Sequence, residues 1–376
     1  MIKLKKIKLN VPITIYILLF IFISIISIYS SMTYLPNYLG NLALKQLYFY
    51  LTGIILMLVI TKISKQTIYK YAWYIYLTNI ILLLLLLIIA KPINNSRCWF
   101  IIPGIGSFQP SEFMKIALII LTSVITGKWI ETNKKNSLFS ELVLLIKVGI
   151  IFLIPSILTF LEPDTGAVFI YFIIITSILL VSPLRKRWFI FLIFLIVTVI
   201  TVFLAMYFFN QELFIKLLGT NLFYRIDRLL DWKNGTGMQL ENSLTAIGSS
   251  GILGHGYNKT PIYFPESGTD FIFAVYASNF GLTGSIILLL IILGFDYSLI
   301  KLYKKTNNIN DKLVLAATIG ILLYQQFQNI GMTLGIIPIT GITLPFISYG
   351  GSSLISYLIL LSLIYNIYSE TYKTIN

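Results

Sequence analysis

The chain has 376 residues, 57% of them hydrophobic and only 11% charged, against roughly a quarter charged in ordinary soluble domains. With a mean hydropathy of +0.88, this excludes a soluble globular enzyme and a disordered chain, and long unbroken apolar runs argue against a membrane β-barrel. The net charge of +14 does not point to nucleic acid as a partner, because cytoplasmic loops of membrane proteins collect Lys and Arg.

The stretch 1–10 is basic and precedes an apolar run, as in a signal peptide. The run 11–31 is too long for a signal core and no small-residue cleavage site follows it, so it reads as a retained first helix. Further runs of spanning length cover 46–62, 70–90, 111–128, 143–161, 166–183, 188–208, 271–295, 313–332 and 350–368. These predict an all-α polytopic membrane protein with ten transmembrane helices in one integral membrane domain over 1–376. The largest connection, 209–270, lies between helices seven and eight. With the N-terminus in the cytoplasm, 18 of the 28 Lys and Arg fall on the inner side and only Lys45, Lys91 and Arg97 in short outer loops. Both termini are therefore expected to be cytoplasmic and the long loop extracytoplasmic. Polar chemistry is expected on that outer side.

Five stretches carry the polar residues. Pro110-Ser111-Glu112 reads as a helix start with Ser111 as N-cap, and Glu112 and Lys115 at i and i+3 can pair on one face. Ionisable groups at membrane depth usually mark a function. Asp164, in the turn Leu161-Glu-Pro-Asp-Thr-Gly-Ala167, either caps a helix or pairs with Lys115. In 224–232, Arg225, Arg228 and Trp232 recur at helical spacing, as in an amphipathic surface helix whose guanidiniums meet lipid headgroups or grip a phosphate. The glycine-rich 246–256 can offer N–H groups to an anion or form a re-entrant turn. Asp270, at the mouth of span eight, either caps that helix or acts as a general base. The uncharged 329–353, with five Gly and two Pro, predicts a packed re-entrant element. The single cysteine, Cys98, and single histidine, His255, leave no internal disulfide and no histidine cluster for a metal.

Phe108-Gln-Pro-Ser-Glu112, Pro163-Asp-x-Gly166, Thr269-Asp-Phe-Ile-Phe273 and Leu344-Pro-Phe-Ile-Ser-Tyr-Gly-Gly-Ser-Ser353 together resemble the shape, elongation, division and sporulation (SEDS) family of RodA, FtsW and SpoVE. The resemblance runs from span one to span ten. Asn329-Ile-Gly-Met332 with Phe108-Gln109 looks more like the RodA branch. The resemblance implies a peptidoglycan glycosyltransferase that polymerises lipid II, the undecaprenyl-pyrophosphate-linked precursor, on the outer face of the cytoplasmic membrane for cell-wall elongation. It implies a class B penicillin-binding protein as partner within an elongation complex, and a divalent cation, Mg or Mn, as helper. It places the catalytic aspartate on Asp270, the family's membrane-cavity polar residues on Glu112, Lys115 and Asp164, and the Trp of its first outer motif, a candidate substrate contact, on Trp99. Arg97, Arg225, Arg228 and Lys115 are candidates for holding pyrophosphate. A lipid II flippase is the rival reading, opposed by acidic and arginine groups confined to one face and by the lack of evident inverted broken helices. A division or sporulation paralogue is another. Three positions depart from the family pattern: Cys98 where Arg is usual, Glu162 where Gln is usual, and Ser278-Asn279 where an acidic pair is usual.

Overall fold

Each long apolar run becomes a helix, and half of them begin on a side-chain cap. The computed structural model describes residues 10–34, 40–91, 97–102, 106–133, 137–219 and 237–372. Helices α1 (Val11–Ser31) and α2 (Leu42–Thr61) start on Asn10 and Asn41, whose side chains accept from the third backbone N–H beyond them. Then come α3 (Lys65–Lys70), α4 (Ala72–Ile89), α5 (Pro110–Thr132), α6 (Leu138–Leu161), α7 (Thr165–Val181), α8 (Lys186–Phe209) and α9 (Gln211–Leu218). The last four are α10 (Met238–Gly248), α11 (Ile272–Lys305), α12 (Ile309–Thr333) and α13 (Gly351–Thr371). Among the described residues, nine helices are long and apolar enough to cross a membrane, and α7, at 17 residues, is a shorter apolar helix. The protein is thus a polytopic helical membrane protein. The all-α expectation needs one amendment: β1 (Phe100–Ile102) and β2 (Gly106–Phe108) form a small antiparallel hairpin before α5.

Helices α5, α12 and α13 are the most enclosed spans. Helix α13 packs on α2, α12 on α7 and α5, and α11 on α1 and α12. At the other extreme, α8 buries only Tyr207, which meets Phe214 of α9 edge to face at 5.7 Å.

The glycine-rich 246–256 serves as a backbone clamp. Helix α11 is broken at Gly281, whose φ of 63° and ψ of −159° are not helical. The loop crosses that break: His255 N and Gly256 N donate to the carbonyls of Ser278 and Asn279, and Leu282 N and Thr283 N donate to those of Gly251 and Ile252. A Cβ at Gly254 would lie 2.3 Å from Asn279 O, and one at Gly281 would lie 2.4 Å from Gly254 N. Two glycines are needed because two backbones touch. The N–H groups of Gly254, His255 and Gly256 are spent on carbonyls, so the anion cradle is not formed there. Ser278 and Asn279 are buried beneath the clamp, and Asn279 Oδ1 accepts from Thr260 Oγ1 at 3.1 Å.

The connection 334–350 is packed into the bundle. Its carbonyls are satisfied from several helices: Ser24 donates to Ile347 O at 2.7 Å, Gln46 Nε2 to Ser348 O at 3.1 Å, and Tyr50 Oη to Phe346 O. Irregular backbone at membrane depth requires such partners.

Candidate functional site

A cavity of about 1090 Å³ opens at the end of the bundle where α2, α5, α7 and α13 begin, beneath the β-hairpin. Trp99, Glu112, Asp164 and Asp270, from four separate stretches of sequence, all line it.

Asp164 caps α7 through Oδ1, which accepts from Ala167 N at 3.0 Å. Its Oδ2 accepts from Gln109 Nε2 at 2.9 Å and Ser111 Oγ at 3.0 Å. Burial raises its pKa while these hydrogen bonds oppose the rise. Gln109 in turn accepts from Trp99 Nε1 at 3.2 Å, so indole, amide and carboxylate form one chain along the wall. Two expectations are corrected here. Gln109, not Ser111, occupies the N-cap position of α5, which frees Ser111 to reach Asp164. Asp164 does not pair with Lys115: that ammonium lies 2.5 Å from Glu112 Oε2 and 4.6 Å from the centre of the Tyr357 ring. The i, i+3 pairing of Glu112 with Lys115 is present. Lys115 is buried behind Glu112 and does not line the cavity.

Asp270, half-buried, lines the same cavity. It does not cap α11, whose N-cap position is Phe271 and lacks a side-chain cap bond. Its backbone is pinned instead: Asn329 Nδ2 donates to Asp270 O at 2.7 Å and to Ile342 O at 2.8 Å. One amide thus ties the loop before α11 to the segment before α13. Next door, Ser348 Oγ donates to Thr269 O at 2.6 Å. Gly341 sits beside the carboxyl, where a Cβ would be in ordinary contact with Oδ2 at 3.5 Å; its left-handed φ of 70° is what favours glycine there. Burial, then the nearby Glu266, pushes the Asp270 carboxyl up to about 7.

The candidate cations fare differently. Arg97 is exposed and outside the cavity; its guanidinium donates to Leu87 O at 3.2 Å, satisfying a carbonyl at the end of α4. Cys98 lines the cavity in its place and donates to Glu162 O at 3.0 Å. Arg225 and Arg228 lie outside the described residues. The cation that does line the cavity is Lys45, in the first turn of α2, a residue counted above only for topology. Gln325 was also missed. It lines the floor, is 1% exposed, and its Oε1 has no hydrogen-bond partner. The signal was available: Gln325, Gln326, Gln328 and Asn329 crowd four amides into five positions of a span, and intramembrane polar groups are costly.

Among the described residues, no three His, Cys, Asp or Glu side chains converge as a metal cage. Asp164 spends both oxygens on hydrogen bonds and Glu112 is paired, so the protein side chains alone do not fit a divalent ion.

The fold and cavity define a polytopic membrane protein with a polar chamber at one end, holding the Asp270 carboxyl, the hydrogen-bonded Asp164 carboxyl and, among the described residues, one cation on its wall, Lys45. The family model for cell cycle proteins of the FtsW/RodA/SpoVE type matches residues 10–373. The probable peptidoglycan glycosyltransferase FtsW of Bacillus subtilis (strain 168) is 34% identical over 294 residues, covering 74% of this chain and 70% of that protein. Stage V sporulation protein E of the same organism is 30% identical, covering 73% and 72%. A solved structure concerning the structural coordination of polymerization and crosslinking by a peptidoglycan synthase complex superimposes with a TM-score of 0.80 at 24% identity, over 97% of this chain and 98% of that one. Thermus thermophilus rod shape determining protein RodA gives 0.69 at 23%, over 96% and 97%. The chain belongs to the FtsW/RodA/SpoVE family.

Proposed function

We propose that this chain is a peptidoglycan glycosyltransferase that polymerises lipid II, with Asp270 as general base. The observation that carries the reading is the Asp270 carboxyl itself: backbone-pinned, on the wall of the chamber, and titrating at about 7, where a base is half-ionised at working pH. The names of FtsW relatives supply the reaction class. In the proposed step, Asp270 takes the proton of the acceptor's sugar 4-hydroxyl as its oxygen attacks the donor's anomeric carbon. The bond from that carbon to the pyrophosphate oxygen breaks on the opposite face. The α-linked donor becomes a β-1,4 linkage, and the pyrophosphate leaves with its polyprenyl carrier. Lys45 offers the departing charge a counterion. A divalent cation would draw most of its shell from pyrophosphate oxygens and water, as Mg²⁺ usually does, and would add positive charge there.

The topology proposed has ten spans, with α7 as the sixth, both termini cytoplasmic and the chamber extracytoplasmic. The skew of Lys and Arg between loops supports it. A class B penicillin-binding protein is the proposed partner, since the superimposable synthase complex joins polymerization to crosslinking. Cell-wall elongation is the proposed duty, resting on the RodA-like motifs. The test is polymer formation from lipid II by the purified protein with its partner and Mg²⁺, with moenomycin silencing contaminating enzymes. Polymer from wild type and none from a folded Asp270→Asn is expected; full polymerisation by the variant would overturn the assignment.

A further inference from the structure

A second groove, of about 680 Å³, lies at the opposite end of the molecule, where α4 begins, α5 ends and α6 begins. Its walls are apolar: Ile125, Val143, Leu144, Ile150 and Ile151. Trp73 and Trp129 also line it, the latter held by its indole N–H, which donates to Ser140 O at 3.1 Å. Two cations complete it, Lys128 of α5 and Lys147 of α6. Both are exposed, neither makes an ion pair among the described residues, and no acidic side chain lines the groove.

The depth of Lys147 sets this groove apart from ordinary surface charge. It sits nine residues into α6, about 13 Å along the axis, on a face whose neighbours Ile146, Ile150 and Ile154 are exposed to lipid. An ammonium there is costly unless it reaches the headgroup layer or an anion comes to it. Lys128 is four residues from the end of α5, about 6 Å along its axis, and points into the same groove. Two cations at different depths, above apolar walls and beside two indoles, match a lipid phosphate with an acyl chain below it. Basic pockets between helices on the cytoplasmic side are built to this pattern.

We infer that this groove binds an anionic glycerophospholipid, with its phosphate between Lys128 and Lys147 and an acyl chain along Ile150 and Ile151. Its placement in the cytoplasmic leaflet rests on the topology proposed above; the binding chemistry does not. The experiment uses the full-length protein in detergent micelles and tryptophan quenching by phosphatidylglycerol brominated on its acyl chains, against brominated phosphatidylcholine. Wild type is expected to be quenched preferentially by phosphatidylglycerol, and Trp73→Phe to lose part of that quenching. Each of Lys128→Gln and Lys147→Gln should cut the preference about fivefold. The double Arg variant should keep it, which separates charge from folding. Equal quenching by both lipids, or an unchanged preference in the double Gln variant, would overturn the site. Displacement of phosphatidylglycerol by an equimolar polyprenyl phosphate would overturn the choice of a glycerophospholipid. None of these readouts involves polymer formation, so a failure here and a failure of the polymerase reading are told apart.

Discussion

Glu162 ends the helix before the cavity with both carboxyl oxygens buried and without hydrogen-bond partners. Burial, and then the neighbouring Asp164, push it from 4.5 to about 8. Between those values the folded state holds a proton that the unfolded state has released, so stability falls as pH rises through this window. Glu162→Gln removes the dependence. In detergent thermal unfolding the variant should match wild type near pH 5 and exceed it near pH 8.5, by about 3 kcal/mol. An equal difference at both pH values would refute the argument. Asp270 makes the corresponding kinetic prediction. A base must be ionised, so kcat/KM for polymerisation should rise with pH through about 7. Since Glu266 contributes to that elevation, Glu266→Gln should move the rising limb to lower pH.

At the scale of elements, the clamp over Gly281 and the Asn329 tie make the firmest claims. Gly254→Ala forces a Cβ into the Asn279 carbonyl at a left-handed φ of 82°, and should cost at least about 3 kcal/mol in denaturant or thermal unfolding. Asn329→Ala strips one buried and one part-buried carbonyl of their donor. It should cost about 2–4 kcal/mol and should lower kcat through the loosened Asp270 backbone. These elements also mark what the sequence could say. The spans follow from the length of unbroken apolar runs, and the Glu112–Lys115 pair and the Asp164 cap from spacings of three residues, all of which a chain displays locally. Gly254 and Gly281 meet across 27 positions, and Gln109 and Ser111 reach Asp164 across more than 50; no spacing rule announces such meetings. That Cys98 and not Arg97 faces the cavity is likewise not announced by local spacing.

Across the whole molecule, the end opposite the chamber is held shut by charge. Lys65 of α3 pairs with Asp311 of α12 and, at 2.8 Å, with Glu370 of α13, while Tyr69 Oη donates to Asp311 Oδ1 at 2.8 Å. Removing one partner of a buried network leaves the others uncompensated. Lys65→Ala should therefore lower unfolding stability by about 3–5 kcal/mol, and pairing Lys65→Met with Asp311→Asn should recover much of it. A double variant as unstable as the single would show that the lysine acts by packing alone. Helix α8 is the counterpoint. Glu141 accepts from the Trp188 indole at 2.7 Å and meets Arg185 at 3.3 Å, so the helix is fastened at its start. Tyr207 is its one buried side chain. Phe203 also meets Phe214 of α9 at 5.1 Å, but from Ile190 to Val202 no side chain is buried, and there the membrane asks for oiliness without asking for shape. Substitutions among Ile, Val, Leu and Phe are free to accumulate there, with no buried partner among the described residues to answer them. Along that stretch, resemblance between relatives records the solvent they share and fades quickly as a record of ancestry.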